Sequence, residues 1–169
     1  MGFVTDAAAR RSAQGFTLVE VLVVVLIIGI AAGVASVTWD SSDRDRANRE
    51  ARRFAGALEH AAARAQVRSE TLGASADGAS WRFWRRDPAT GRWQPLADDD
   101  DVLAAHALPE TMSLAPTSYS GQAIDNRAIV PLRATGRNEP FTFALAARDT
   151  KLVLAVDPLN RVTIIEPAP

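Results

Sequence analysis

The stretch GFTLVE (residues 15–20) runs directly into VLVVVLIIGIAAGVASVTW (residues 21–39), and this junction decides the fold. The nineteen residues from Val21 to Trp39 carry no formal charge, and all but two glycines, one serine and one threonine are hydrophobic. At a helical rise of 1.5 Å per residue, such a segment is roughly 28 Å long, which matches the hydrocarbon core of a bilayer. The sequence therefore predicts a membrane-spanning helix.

A polar leader of residues 1–15 precedes this run and contains Arg10 and Arg11. Its positive charge is expected to hold the N-terminus in the cytoplasm and to place the C-terminal part of the chain outside. The alternative is a cleaved secretory signal, but such signals have a shorter apolar region followed by a small-residue cleavage site and a break. No such break follows Trp39, which favours a retained helix.

The composition of the whole chain excludes several classes of protein and of binding site. The chain has 169 residues, 47% of them hydrophobic, so it can bury a core and is not disordered throughout. It contains no cysteine, which excludes a disulfide scaffold and a thiolate zinc site. Its formal net charge of −1 gives no reason to expect nucleic acid as the main partner.

The helix is expected to continue beyond the apolar run, because no proline occurs before Pro88 and apolar residues keep a helical spacing. We predict one helix from about Phe16 to about Thr71, with Gly73 as its C-cap. Its predicted buried face consists of Ala47, Ala51, Phe54, Leu58, Ala61 or Ala62, and Ala65, and its charged opposite face of Arg46, Arg49, Glu50, Arg53, Glu59, His60, Arg64 and Arg68.

The second half of the chain is rich in glycine, proline, aromatic and β-branched residues, which indicates short strands joined by turns. Packed against the C-terminal half of the helix, they give an α+β fold with an antiparallel, β-sandwich-like head. The predicted strands are Ser80–Arg85 with a hairpin to Arg92–Leu96, then Met112–Leu114, Ala128–Leu132, Phe141–Leu145, Lys151–Val156 and Arg161–Ile165.

The N-terminal junction resembles the class III signal of type IV pilins and of the pseudopilins of type II secretion. The resemblance rests on Gly15, the aromatic Phe16, Glu20 four positions later and the apolar run. It implies that prepilin peptidase cuts after Gly15 and methylates Phe16, and that the apolar segment stays with the product. The expected segments are a leader (1–15), a transmembrane and filament-core helix (16–39), a periplasmic amphipathic helix (40–73) and a β-rich periplasmic head (74–169).

Glu20 needs a partner on physical grounds, because a carboxylate at the edge of a hydrocarbon segment costs a few kcal/mol unless it is paired or hydrated. The resemblance implies that this partner is the N-terminal ammonium of a neighbouring subunit. The alternative is that Glu20 simply lies at the level of the lipid headgroups. Gly29 and Gly33 permit either close helix packing or local stretching of the helix, and the pattern does not decide between the two.

Further segments are similar to the GspH/FimT group. They are Thr71–Gly73 at the predicted helix end, Trp81–Phe83 with its hairpin to Trp93, Leu108–Pro109, and Gly136–Phe143, in which a Gly-x-x-x-Pro-Phe pattern precedes a strand.

Two branches of this group have different functions. The GspH branch implies a minor pseudopilin near the tip of the periplasmic pseudopilus, which drives folded exoproteins through the outer-membrane secretin. The alternative is a FimT-like minor pilin of a type IV pilus, some of which bind DNA through a basic C-terminal tail. Residues Arg161–Pro169 contain one arginine and one glutamate, too few cations to grip phosphates, so the charge favours the secretion branch.

The resemblance also implies the partners and the location. The expected partners are other minor and major pseudopilins, prepilin peptidase and inner-membrane lipid, with the secretin and the exoprotein as further candidates. The expected location is the bacterial inner membrane, which the chain crosses once, with the head in the periplasm.

Nothing in the sequence indicates catalysis or a cofactor. It has no HExxH, P-loop or nucleophile-elbow motif, so we expect no enzyme. His60 and His106 are assigned surface or capping roles. The run Asp98–Asp101 is interpreted as a mobile acidic loop, with calcium binding as the less favoured alternative. Trp81, Trp84 and Trp93 are expected to pack in the core, the alternative being an exposed protein-contact patch.

Overall fold

The computed structural model describes residues 18–96, 101–148 and 150–167, and among these the side chains of all but residues 32–42. Within the described residues, one helix, α1 (Leu18–Arg68), precedes ten strands. The chain divides into two compact units, residues 1–39 and 40–169, so the boundary falls inside α1. The α+β class with antiparallel sheets, expected from the sequence, is confirmed.

The first unit contains the apolar part of α1. Every described side chain from Leu18 to Ala31 is exposed. Within the described residues we find no helix with both the length and the apolar character needed to cross a membrane. The membrane-spanning segment from Val21 to Trp39 therefore stays a prediction.

The second unit contains the amphipathic part of α1, and its buried face is the predicted one. All the predicted positions are buried, and Ala57 joins them. The opposite face is predicted to be solvated or to face another subunit, but Arg64 on that face is buried within the head. Its Nε donates a hydrogen bond of 3.0 Å to Glu70 beyond the helix end, and this contact compensates the burial of the charge.

The helix ends earlier than predicted. Its last residue is Arg68, and Ser69 adopts a left-handed backbone with a φ of 54°. The amide of Glu70 donates to the carbonyl of Ala65 at 3.1 Å, which satisfies one of the last helical acceptors. Gly73, predicted as the C-cap, lies instead inside the first strand, so that prediction is wrong.

The strands form two antiparallel sheets of five strands each. The first sheet has the order β3-β2-β1-β7, with β4 also paired to β2, and the second has the order β10-β9-β8-β5-β6. The strands are β1 (Leu72–Ala76), β2 (Ser80–Arg86), β3 (Trp93–Pro95), β4 (His106–Ala107), β5 (Met112–Tyr119), β6 (Gln122–Ala123), β7 (Val130–Leu132), β8 (Phe141–Ala147), β9 (Thr150–Val156) and β10 (Val162–Ile165).

Most predicted strands are present, but β1, β4 and β6 are not among the predictions, and β5 extends well beyond the predicted Leu114. Strand β1 is central, and all five of its residues are buried. A strand covered on both faces shows no alternation of polar and apolar residues, and its sequence LGASA lacks β-branched side chains. Both signals on which strand prediction depends are therefore missing.

Gly73 allows close packing on one face of β1. A Cβ atom at this position would lie 2.5 Å from Cγ2 of Ile129 and 2.9 Å from Cζ3 of Trp93. Real Cβ atoms do not approach other heavy atoms so closely, so any side chain here displaces both neighbours.

We therefore predict that Gly73→Ala destabilises the head by about 1–3 kcal/mol through overpacking. Gly56→Ala is the matched control, because a Cβ on Gly56 meets no atom within 4 Å and alanine favours the helix by up to about 1 kcal/mol. Thermal unfolding of the full chain in detergent, followed by far-ultraviolet circular dichroism, compares the two. Equal midpoints would contradict the packing argument.

Candidate assembly site

Every described side chain of the apolar part of α1, from Leu18 to Ala31, is exposed. Leu18 is 81% exposed, and Val23, the least exposed of the large side chains described there, is 44% exposed. A helix that is hydrophobic all round is unstable in water and needs to be covered by lipid or by other apolar helices. This segment is therefore the candidate site for assembly with other helices.

Glu20 is the acidic residue in the first turn of α1, and it is exposed. A carboxylate there interacts favourably with the positive end of the helix dipole. Gly15 and Phe16, the predicted cleavage and methylation positions, lie outside the described residues. Their relation to Glu20 therefore stays a prediction.

Gly29 and Gly33 both lie inside α1, which is continuous through them. A Cβ on Gly29 would meet no atom within 4 Å, so the space beside it is open. The space beside Gly29 allows the backbone of a second helix to approach closely. It does not decide between close helix packing and local stretching of α1.

Beyond the apolar part, α1 packs on the head through Phe54. Its ring centroid lies 5.3 Å from that of Trp81 on β2 and 5.0 Å from that of Phe143 on β8. All three side chains are at most 2% exposed. Because β2 and β8 belong to different sheets, this one position of the helix packs against both sheets.

Polar contacts add to this packing along the helix. Glu59 accepts a hydrogen bond of 3.2 Å from the amide of Val162 on β10, and Asp43 lies 3.4 Å from the guanidinium of Arg148. The carboxylate of Glu166 pairs with Arg44. Exposed ion pairs contribute at most about 1 kcal/mol each, so burial of Phe54 and its neighbours dominates the attachment of the helix.

The loop that contains the Gly-x-x-x-Pro-Phe pattern is fixed by buried amides. The side chain of Asn138 accepts from the amide of Arg133 at 2.7 Å and donates to Oδ1 of Asn160 at 2.5 Å. Asn160 donates in turn to the carbonyl of Gly136 at 3.2 Å. A Cβ on Gly136, whose φ is 73°, would lie 2.8 Å from Cδ of Gln66, so this glycine lets the loop reach the helix.

The turn that supplies Asn160 is fixed by Asp157. Hydrogen bonds from the backbone amide and the side chain of Arg161 and from the amide of Leu159 lower the pKa of its carboxyl. The turn is therefore ordered by an ionised side chain at neutral pH.

The structure shows where both histidines and the three tryptophans of the head lie. His106 lies in β4 rather than in the predicted loop, 2.9 Å from Glu50 and with its ring 5.1 Å from that of Trp81. His60 is exposed on the helix. Core packing is confirmed for Trp81, whereas Trp84 and Trp93 are only half-buried.

The acidic run Asp98–Asp101 falls mostly outside the described residues, and Asp101 is exposed. Among the described residues, no group of three or more histidine or acidic side chains is arranged to hold a metal ion. Calcium binding therefore stays a hypothesis without structural support.

The described fold, an α-helix followed by two antiparallel sheets, is similar to that of a solved minor pseudopilin. The minor pseudopilin EpsH from the type II secretion system of Vibrio cholerae superposes with a TM-score of 0.58 at 17% identity, covering 73% of this chain and 99% of EpsH. The solution structure of E. coli GspH superposes with a TM-score of 0.57 at 25% identity, covering 72% of this chain and 89% of GspH.

Family models and curated relatives identify the group. Residues 10–36 match the prokaryotic N-terminal methylation motif, and residues 50–160 match the type II transport protein GspH. Type II secretion system protein H of Escherichia coli is 29% identical over 81% of this chain and 83% of its own length. The same-named protein of Pectobacterium carotovorum is 31% identical over 69% of this chain and 70% of its own length.

The chain therefore belongs to the GspH family, whose members are structural pseudopilins and not enzymes. Its match to the protein H of Aeromonas hydrophila, at 32% identity, spans 58% of that relative's length.

Phe54→Ala tests the attachment of the helix to the two sheets. Removing a buried phenylalanine costs about 3–5 kcal/mol through lost burial and the cavity left behind. Val67→Ala is the matched control on the same helix, because Val67 is 85% exposed, and its replacement changes the stability by less than about 0.5 kcal/mol. Urea unfolding of the full chain, followed by tryptophan fluorescence, measures both. Similar losses for the two variants would contradict the role assigned to Phe54.

Proposed function

We propose that the chain is a minor pseudopilin of the type II secretion system, assembled near the tip of the periplasmic pseudopilus that drives folded exoproteins through the outer-membrane secretin. The match of residues 50–160 to GspH carries this conclusion. The exposed apolar segment of α1 supports it, because this segment requires an apolar environment that a filament of packed helices supplies. None of the comparisons favours the type IV pilus alternative.

In this proposal, the chain is first inserted into the inner membrane. Residues 16–39 span the bilayer, the leader lies in the cytoplasm and the head lies in the periplasm. Prepilin peptidase removes residues 1–15 and methylates Phe16. The match of residues 10–36 to the N-terminal methylation motif supports these steps.

In the filament, the apolar helix packs among those of other minor and major pseudopilins. The carboxylate of Glu20 pairs with the N-terminal ammonium of a neighbouring subunit, which sets the stagger between the two helices. In an apolar surrounding this pair is stronger than in water, because the dielectric constant is low. Gly29 and Gly33 allow the helices to approach closely or to stretch on leaving the lipid.

Processing is tested by co-expressing the full chain with prepilin peptidase and measuring the mass of the product. We expect a chain that begins at Phe16 and carries one added methyl group. Gly15→Val blocks the cut and leaves the full-length mass, because the new side chain fills the position that the peptidase reads. A product that begins elsewhere than Phe16 would refute this part of the proposal.

The charge pair is tested separately with Glu20→Gln, which keeps the shape of the side chain and removes its charge. We expect normal processing but at least about a tenfold loss of cross-linking to neighbouring pseudopilins and of exoprotein secretion, because the ammonium of the neighbour is left unpaired. Asp45→Asn is the control, since it removes one negative charge from the exposed surface of the same helix. Full assembly with Glu20→Gln would instead favour a location at the headgroups.

A further inference from the structure

The amphipathic part of α1 begins with a line of arginines on its exposed side. Arg46, Arg49, Arg52 and Arg53 are all exposed, and these four residues are called the basic stripe. Spacings of three, four and seven residues place Arg46, Arg49 and Arg53 on one side of a helix, with Arg52 beside them. The stripe therefore lies away from the buried face of the helix, which packs on the head through Phe54.

The fold separates the acidic residues of this stretch from the arginines. The carboxylate of Glu50 is half-buried and lies 2.9 Å from Nε2 of His106. The carboxylate of Asp43 is also half-buried, and it lies 3.4 Å from the guanidinium of Arg148 and 3.8 Å from that of Arg46. Both carboxylates are therefore engaged with the head, whereas the arginines of the stripe stay exposed.

Little negative charge remains to neutralise the stripe. Between residues 43 and 56, all of which the structure describes, Asp45 is the one exposed carboxylate. Apart from the contact of Arg46 with Asp43, no arginine of the stripe forms an ion pair among the described residues, although Arg53 and Asp101 line the same hollow of about 310 Å³. The four arginines and Asp45 together have a net charge of +3 at neutral pH.

The stretch exposes no apolar side chain. From residue 43 to residue 56, every exposed position is an arginine, an aspartate or a glycine. Protein interfaces depend on a central cluster of apolar or aromatic anchors, and the stripe offers none. A layer of phosphate groups requires only positive charge, so the surface of an anionic bilayer fits the stripe better than another protein does.

The position of the stripe in the sequence also favours a bilayer surface. Arg46 follows Trp39, the last residue of the apolar run, by seven residues, and Arg53 follows it by fourteen. In the proposed topology these arginines lie outside the membrane, where the positive-inside bias disfavours arginines within about 15–20 residues of a span. Four arginines kept there, against the two of the leader, indicate a role at the outer surface.

We propose that the basic stripe binds the headgroups of anionic phospholipids in the outer leaflet of the inner membrane, and that it keeps this part of α1 close to the bilayer before assembly. The proposal deepens the proposed function and rests on its membrane span. The attraction between arginines and an anionic surface decays within about 8 Å at physiological salt, so it acts only near the bilayer. An acidic surface of another subunit is the alternative partner.

The test measures how near α1 comes to the lipid headgroups. Because the chain has no cysteine, Gly56→Cys supplies a single site for a fluorophore. Gly56 is exposed one helical turn beyond Arg52, and a Cβ there meets no atom within 4 Å. The labelled full chain is inserted into lipid nanodiscs that carry a nitroxide on the same fraction of headgroups, and quenching of the fluorophore is recorded. One set of discs is phosphatidylcholine alone, and the other contains about one third phosphatidylglycerol.

We expect quenching to be at least about twofold stronger in the anionic discs, and this difference to disappear between about 0.05 M and about 0.5 M sodium chloride, because salt screens the attraction. Arg49→Gln together with Arg52→Gln removes two of the four charges and is expected to reduce the difference by at least about half. Arg133→Gln together with Arg137→Gln is the matched control, because it removes two charges from exposed positions before β8, and it is expected to leave the difference unchanged. Circular dichroism verifies that each variant keeps its fold.

Equal quenching in the two kinds of disc, or equal losses in the two double variants, would overturn the proposal and would favour an acidic surface of another subunit. A difference that persists at high salt would also contradict it. A chain that does not enter the phosphatidylcholine discs would contradict the proposed membrane span, and the role of the stripe with it. A chain that enters both kinds of disc with equal quenching contradicts the role of the stripe alone, so the two failures are distinguishable.

Discussion

The head depends on the contact of one ring with two others. Phe54 on the helix packs against Trp81 in one sheet and Phe143 in the other, so the two sheets share this buried ring. The surface ion pairs along the helix are exposed and contribute little by comparison. Hydrophobic burial, rather than charge, therefore fixes how the amphipathic part of the helix lies on the head.

The same helix carries two segments with opposite requirements. The apolar face of its amphipathic part is buried within the head. The side chains from Leu18 to Ala31 are all exposed, and they need an apolar environment that the described part of the chain does not supply. Packing within the head and the proposed assembly with other helices therefore use different stretches of one helix. A change in the head can then alter the stability of the head without altering the exposed apolar segment.

Local sequence patterns predicted the helix and strands in which apolar residues recur with a helical or a strand period. The sequence predicted both the buried face of the helix through Phe54 and the alternation of Trp81 and Phe83 on β2, because the helix and the strand each bury one face only. Strand β1 could not be predicted, since it is buried on both faces and built of small residues. The hydrogen bond between Asn138 and Asn160 joins residues far apart in the chain, which no local pattern reveals.

The hydrogen bond from the Val162 amide to Glu59 acts on an edge strand, because β10 lies at the end of its sheet. Unpaired edge amides recruit strands from other chains and lead to aggregates held by main-chain pairing. Because the carboxylate of Glu59 accepts the hydrogen bond of the Val162 amide, that amide is not available to pair with a strand of another chain. At high local concentration, the heads of separate chains are therefore less prone to join through β10.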